Sequence, residues 1–168
     1  MFKHEIQVIK FLLQWYSVNA RVLPWRKLNN LNLPYPYFVF VSEYMLQQTT
    51  VNTVKNKFND FILKWPTVNN LAQISEPNIL KFWSGLGYYS RARNLLKSAK
   101  IINKNFKNKI PQTYDELIKL PGIGDYTAKA ILGISFNKSV MPLDANIERI
   151  LVRLHAIDKP INKVKKKL

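Results

Sequence analysis

The 168-residue sequence has no cysteine. Disulfides, thiolate nucleophiles, zinc–thiolate sites and cysteine-bound iron–sulfur clusters are therefore excluded for this chain. Acidic residues are scarce, 10 against 26 lysines and arginines, for a formal charge of +16. That balance favours a polyanionic partner, nucleic acid first. A lysine- and asparagine-rich style reflecting base composition would raise the charge in the same way, and 20 of the 26 basic residues are lysine. Glycines number only five, and no run approaches the ~18 apolar residues of a membrane span. The opening segment places Glu5, Gln7 and Lys10 among apolar residues, so no signal peptide is expected and the expected location is cytoplasmic, at the nucleoid. His4 and His155 are isolated, and no metal site is expected.

What remains is a folding composition, 47% hydrophobic and 12% aromatic. A chain of this length can bury roughly 70% of its unfolded surface. Its periodicity is helical throughout, with no strand pattern. Residues 1–18 carry Ile6, Ile9, Phe11, Leu12, Leu13, Trp15 and Tyr16 at helical spacing, an amphipathic helix that needs a partner surface. Residues 21–36, with Pro24, Pro34 and Pro36, read as a loop. Tyr37 to Leu46 is apolar almost all round, a buried helix holding Glu43. Val51 to Trp65 is a helix ended by Pro66, and Thr67 can cap the next one. Ser75-Glu-Pro77 opens a helix through Trp83, Gly85-Leu-Gly87 breaks it, and Tyr88 to Asn103 follows, with six basic side chains from Arg91 to Lys107. Thr113-Tyr-Asp-Glu116 has capping-box spacing for a short helix to Leu120, and Pro121-Gly-Ile-Gly124 separates it from a helix over 126–136. Ala145 to Leu154 is the last helix before a lysine-rich end, Lys163 and Lys165 to Lys167, expected to fray.

Three features carry chemistry. The Gly122 and Gly124 turn leaves amides unpaired at the next helix's N-terminus, a place for a phosphate oxygen or simply a turn between helices. Glu43, among Phe38 to Val41 and Tyr44 to Leu46, is expected to be poorly hydrated and to have a raised pKa, as a general acid needs near neutrality, unless it escapes to the helix edge or pairs with an arginine. Asp144 stands where a helix N-cap belongs, which by itself explains it. Together, one buried acid and one ionised carboxylate match the pair used in glycosidic cleavage, where one group protonates the leaving group and the other stabilises an oxocarbenium-like sugar.

Five blocks resemble the adenine DNA glycosylase family (MutY type) of the helix-hairpin-helix base-excision superfamily. They are Leu23 to Trp25 (LPW), Val41 to Val51 (VSEYMLQQTTV), Phe82 to Leu95 (FWSGLGYYSRARNL), Leu120 to Leu132 (LPGIGDYTAKAIL) and Pro142 to Leu151 (PLDANIERIL). The resemblance implies an all-α fold: a six-helix barrel over 37–155 with the hairpin at 113–136, a partial second lobe from the helix at 1–20, and a basic end at 156–168. It implies double-stranded DNA as partner and adenine mispaired with 8-oxoguanine or guanine as substrate, flipped out and hydrolysed. On this likeness Glu43 is the acid, Asp144 the carboxylate facing the sugar cation, and Tyr126 and Asn146 their supports. Arg21, Leu23, Trp25, Arg26, Leu46 and Val51 form the adenine pocket wall. Gln47, Gln48, Thr49, Tyr88 and Arg91 meet the duplex, and Gly122 and Gly124 hold a phosphate.

The departures matter as well. Tyr126 stands where endonuclease III carries a Schiff-base lysine, which favours a monofunctional glycosylase, although Lys129 lies three residues on. The stretch from Trp25 to Glu43 looks several residues longer than usual, and Ala145 replaces a common glycine. The family continues beyond the equivalent of Leu168 through further helices, four cysteines holding a 4Fe-4S cluster and a C-terminal domain. The reading is thus a chain truncated before these, with no cofactor of its own, apolar surface left uncovered, and a second chain to supply the missing lobe. Two alternatives stand beside it: a non-catalytic DNA-binding remnant, and an endonuclease III-like glycosylase and lyase.

Overall fold

The computed structural model describes residues 3–158, with side chains from Ile6 onward. The lysine-rich end from Lys163 and the His4 side chain lie outside the described residues. Among the described residues nine α-helices follow in order: α1 (Lys3–Asn19), α2 (Pro36–Leu46), α3 (Val51–Lys64), α4 (Val68–Ala72), α5 (Glu76–Trp83), α6 (Ser90–Asn105), α7 (Tyr114–Leu117), α8 (Asp125–Phe136) and α9 (Ala145–Leu154). Among the described residues there is no strand, only an isolated bridge between Leu28 and Pro34. That bridge and a 3-10 turn, Pro24–Arg26, give shape to the segment expected to be plain loop. No described helix is long and apolar enough to cross a membrane.

The core forms around α2, whose Val39 to Met45 are all buried because apolar residues occupy every side of the helix. It packs against α3, α6 and α8, and α4 and α5 close over α6. Phe61, Trp65 and Phe82 make an edge-on triangle with centroids 4.8, 5.5 and 5.2 Å apart, and Phe58 takes the edges of Trp25 and Phe38. Thr67 caps α4 by accepting from the Asn70 amide, and Thr113 caps α7 by accepting from the Glu116 amide. Helix α6 starts at Ser90, two residues later than the pattern implied, because Tyr88 holds a left-handed φ of 47° that no helix admits.

Helix α1 differs from the rest. Its described side chains are all exposed, Phe11 67%, Leu13 65% and Val18 82% among them. The partner face that its apolar pattern calls for is not supplied by the described residues. Helix α9 has the same character on one side, where Ile150 and Leu154 are exposed.

Candidate active site

Glu43 lies on the last turns of α2, with 9% of its surface accessible. Burial pushes its carboxyl up to about 7, since desolvation disfavours the charged form. It opens onto a cleft of about 540 Å³ lined by Leu46, Gln47, Gln48, Thr49, Tyr126, Thr127, Asp144 and Asn146. Four elements thus deliver the wall: the end of α2, the turn after it, the first turn of α8 and the start of α9.

Asp144 is the N-cap of α9, its Oδ1 accepting from the amides of Asn146 at 3.0 Å and Ile147 at 2.8 Å. The Asn146 amide group donates to the other carboxylate oxygen at 3.5 Å. Capping and chemistry are not alternatives here, because one oxygen caps while the residue still lines the cleft. Tyr126 is 41% exposed and its hydroxyl is held above the usual phenol range, first by burial and then by the charges of Glu43 and Asp144. The two carboxylates therefore share one electrostatic environment across Tyr126, which sequence spacing of 101 positions could not establish.

The hairpin between α7 and α8 abuts this cleft. Gly122 has φ +80°, and a Cβ there would lie 2.9 Å from the Asn94 Cβ and 3.1 Å from the Tyr44 ring, so both conformation and space demand glycine. Gly124 is different from the expectation: as N-cap of α8 it has φ −97°, an ordinary backbone, and open space where a side chain would be. It leaves open space beside the amides at the start of α8. The hairpin is tied to α2 by Tyr44 Oη and Ser98 Oγ, which lie 2.9 Å apart and converge on the Pro121 carbonyl at 2.5 and 3.1 Å. Gln47 Nε2 adds a bond to the Gly122 carbonyl at 3.1 Å. Tyr44 and Ser98 were not singled out from the sequence. A Tyr beside a buried Glu in an apolar helix reads as core, and nothing local marks its hydroxyl as a tie to residue 121.

Two other groups land elsewhere. Arg21, Leu23 and Arg26, assigned by resemblance to the adenine pocket wall, line a separate groove with Phe58 and Ile62 of α3. Trp25 is buried edge-on against Phe58, and Val51 is half-buried against the core, so of that set Leu46 alone lines the Glu43 cleft. The Pro24 turn causes this, turning Leu23 and Trp25 inward, while the Arg26 guanidinium bonds back to the Arg21 carbonyl and sits over the Tyr16 ring. Arg91 is 5% exposed and does not face outward. Its Nη1 donates to the carbonyls of Tyr44 at 3.2 Å, Met45 at 2.6 Å and Gln47, and its Nη2 to those of Leu86 at 2.8 Å and Gly87 at 3.1 Å. A guanidinium so engaged is unavailable to a phosphate, which corrects its expected place among the duplex contacts. Gln48, on the cleft wall, and Tyr88, which is not among its lining residues, are both exposed. Lys129 is ion-paired to Asp125 at 3.0 Å and is absent from the cleft wall.

Residues 41–168 match the family model described as HhH-GPD superfamily base excision DNA repair protein. The chain belongs to the HhH-GPD superfamily. Within it, 149 residues are 46% identical to the adenine DNA glycosylase of Buchnera aphidicola from Schizaphis graminum, covering 88% of this chain and 42% of that protein. The human adenine DNA glycosylase is 40% identical over 164 residues, 94% of this chain and 30% of that protein. This HhH-GPD chain thus spans less than half the length of these relatives. Among solved structures, a thermostable thymine-DNA glycosylase superposes with a TM-score of 0.76 at 25% identity, covering 86% of this chain and 64% of that one. An endonuclease III in non-covalent complex with DNA superposes at 0.75 and 21% identity, covering 99% and 76%, a likeness of fold. The iron–sulfur cluster that the resemblance implied needs four thiolates, and this chain has none. Among the described residues no group of His, Asp and Glu could hold a metal either.

Proposed function

We propose that this chain is an adenine DNA glycosylase, a hydrolase of the N-glycosidic bond of adenine mispaired with 8-oxoguanine or guanine in duplex DNA. The observation that carries the reading is the shared cleft. A buried carboxyl titrating near neutrality and a carboxylate fixed at a helix N-terminus line one wall-to-wall opening beside a phosphate-ready hairpin. Glu43, protonated, donates to the adenine ring, so that the electrons of the breaking C1′–N bond leave on a neutral base. Asp144 stabilises the cationic sugar until water adds to C1′ and gives up its proton to the Glu43 carboxylate, which restores the acid. Asn146 supports Asp144 by donating to it and Tyr126 lies in the field of both carboxylates, and Gln48 and Tyr88 enter the base stack from which the adenine is taken. Tyr126 offers no amine to form a Schiff base, so the product is an intact strand with an abasic site.

The test is a single-turnover assay with excess protein on a duplex holding adenine opposite 8-oxoguanine, followed by alkali. Breaks that need alkali and that fall by on the order of 10²–10⁴-fold with Glu43→Gln are expected. Duplex binding without breaks would instead favour the non-catalytic remnant.

A further inference from the structure

Arg91 is the most heavily bonded side chain among the described residues, and its partners are all backbone. Three of its five carbonyls close the C-terminal end of α2, directly after Glu43, and two belong to the turn between α5 and α6. The guanidinium lies over the rings of Trp83 at 5.5 Å and Tyr88 at 5.6 Å. Each of the two turns carries one exposed non-glycine residue in the left-handed region, Gln48 at φ 56° and Tyr88 at φ 47°. Non-glycine residues hold that conformation only where their surroundings over-determine it. Thr49, which lines the cleft, reaches across from the first turn to the Leu86 carbonyl of the second at 3.5 Å.

We propose that Arg91 is a positioning residue that locks the Gln48 turn and the Tyr88 turn into one rigid rim beside the Glu43 cleft, so that both side chains meet a duplex together. The inference rests on the glycosylase reading for its purpose, though the coupling itself does not. A planar fork with donors pointing two ways spans two sets of carbonyls, whereas an ammonium is a point donor that cannot brace the two sets against each other. A helix C-terminus also welcomes the positive charge.

Amide hydrogen exchange on the full chain, unsubstituted and Arg91→Lys, tests the coupling without substrate. In Arg91→Lys the amides of 47–50 and 85–89 are expected to exchange together about tenfold faster, with α3 and α8 unchanged. Loosening of one turn alone, or of the whole body, overturns the proposal. On the mispaired duplex, the same variant is expected to lose on the order of 10²-fold in single-turnover excision. Its affinity for that duplex stays within about threefold, because register is held by phosphate contacts at the hairpin. An equal fall in rate and affinity also overturns it. Should Arg91→Lys not fold, Gly87→Ala decides. At φ +69° with open space for a Cβ, its strain is confined to the second turn. Faster exchange in 47–50 would then support transmission through Arg91, and an unchanged first turn would refute it. If the unsubstituted chain releases no base, the glycosylase reading fails, while the exchange result still decides the coupling.

Discussion

Glu43 shows how a single side chain sets the working range of the site. Its folded pKa, about 7, lies above the ordinary 4.5, so between those values the folded chain holds a proton that the unfolded chain has released. Stability conferred by that proton is complete below pH 4.5 and is lost as pH rises through about 7. Above pH 8 the Glu43→Gln variant is therefore expected to be more stable than the unsubstituted chain, by roughly 3 kcal/mol for a shift of this size. Denaturant titrations at pH 5 and pH 8 check the sign. Catalysis follows the same titration: excision is expected to be flat on the acid side and to fall tenfold per pH unit above about 7, measured in single turnover. Asp144 separates its two roles by substitution. Asp144→Asn keeps an oxygen for the amides of 146 and 147 and should melt as the unsubstituted chain does, yet lose on the order of 10²-fold in excision. Asp144→Ala should lose the rate and, in addition, ~1 kcal/mol of stability. The raised carboxyl and the cap were both legible in sequence, from apolar neighbours and from the residue before a helix. Arg91 was misread because a basic residue at the head of a basic helix looks solvated, and nothing in sequence shows five carbonyls waiting for it.

At the scale of elements, the hairpin glycines divide a conformational requirement from an access requirement. Gly122→Ala places a Cβ against Asn94 and Tyr44 at a left-handed φ, and is expected to cost about 2–4 kcal/mol in urea unfolding. Gly124→Ala meets nothing within the chain, so stability should hold while duplex affinity drops in a gel shift, since the methyl group would stand in the path of the phosphate proposed for the hairpin. The G-x-G spacing alone makes the two look equivalent; the difference comes from α6 and α2 packing under one of them. Helix boundaries were largely readable because capping residues and prolines are local signals, as with Thr67, Thr113 and Pro66. The 3-10 turn at Pro24–Arg26 was not, and it carries Leu23 and Trp25 into the core and away from the cleft.

At the scale of the whole molecule, the net charge of +16 and the hairpin amides combine in the expected duplex affinity. Its logarithm should fall linearly with the logarithm of salt concentration, with a slope of about −0.9 for each phosphate neutralised. Titrations from 50 to 200 mM salt on matched and mispaired duplexes would show the same slope for both, because the charge term does not read bases. The sequence by itself determined the all-helical architecture, the order of the helices, the N-caps at Thr67, Thr113 and Asp144 and the candidate acid, because each is written in residues within a turn or two of one another. Only the tertiary structure decided that Glu43, Tyr126 and Asp144 line one cleft, that Tyr44 and Ser98 hold the hairpin to it, and that Arg91 faces inward. Most of those relations join positions well beyond one helix turn, up to 101 residues apart between Glu43 and Asp144, and their geometry is fixed by how α2 is buried among α3, α6 and α8, which no local pattern encodes.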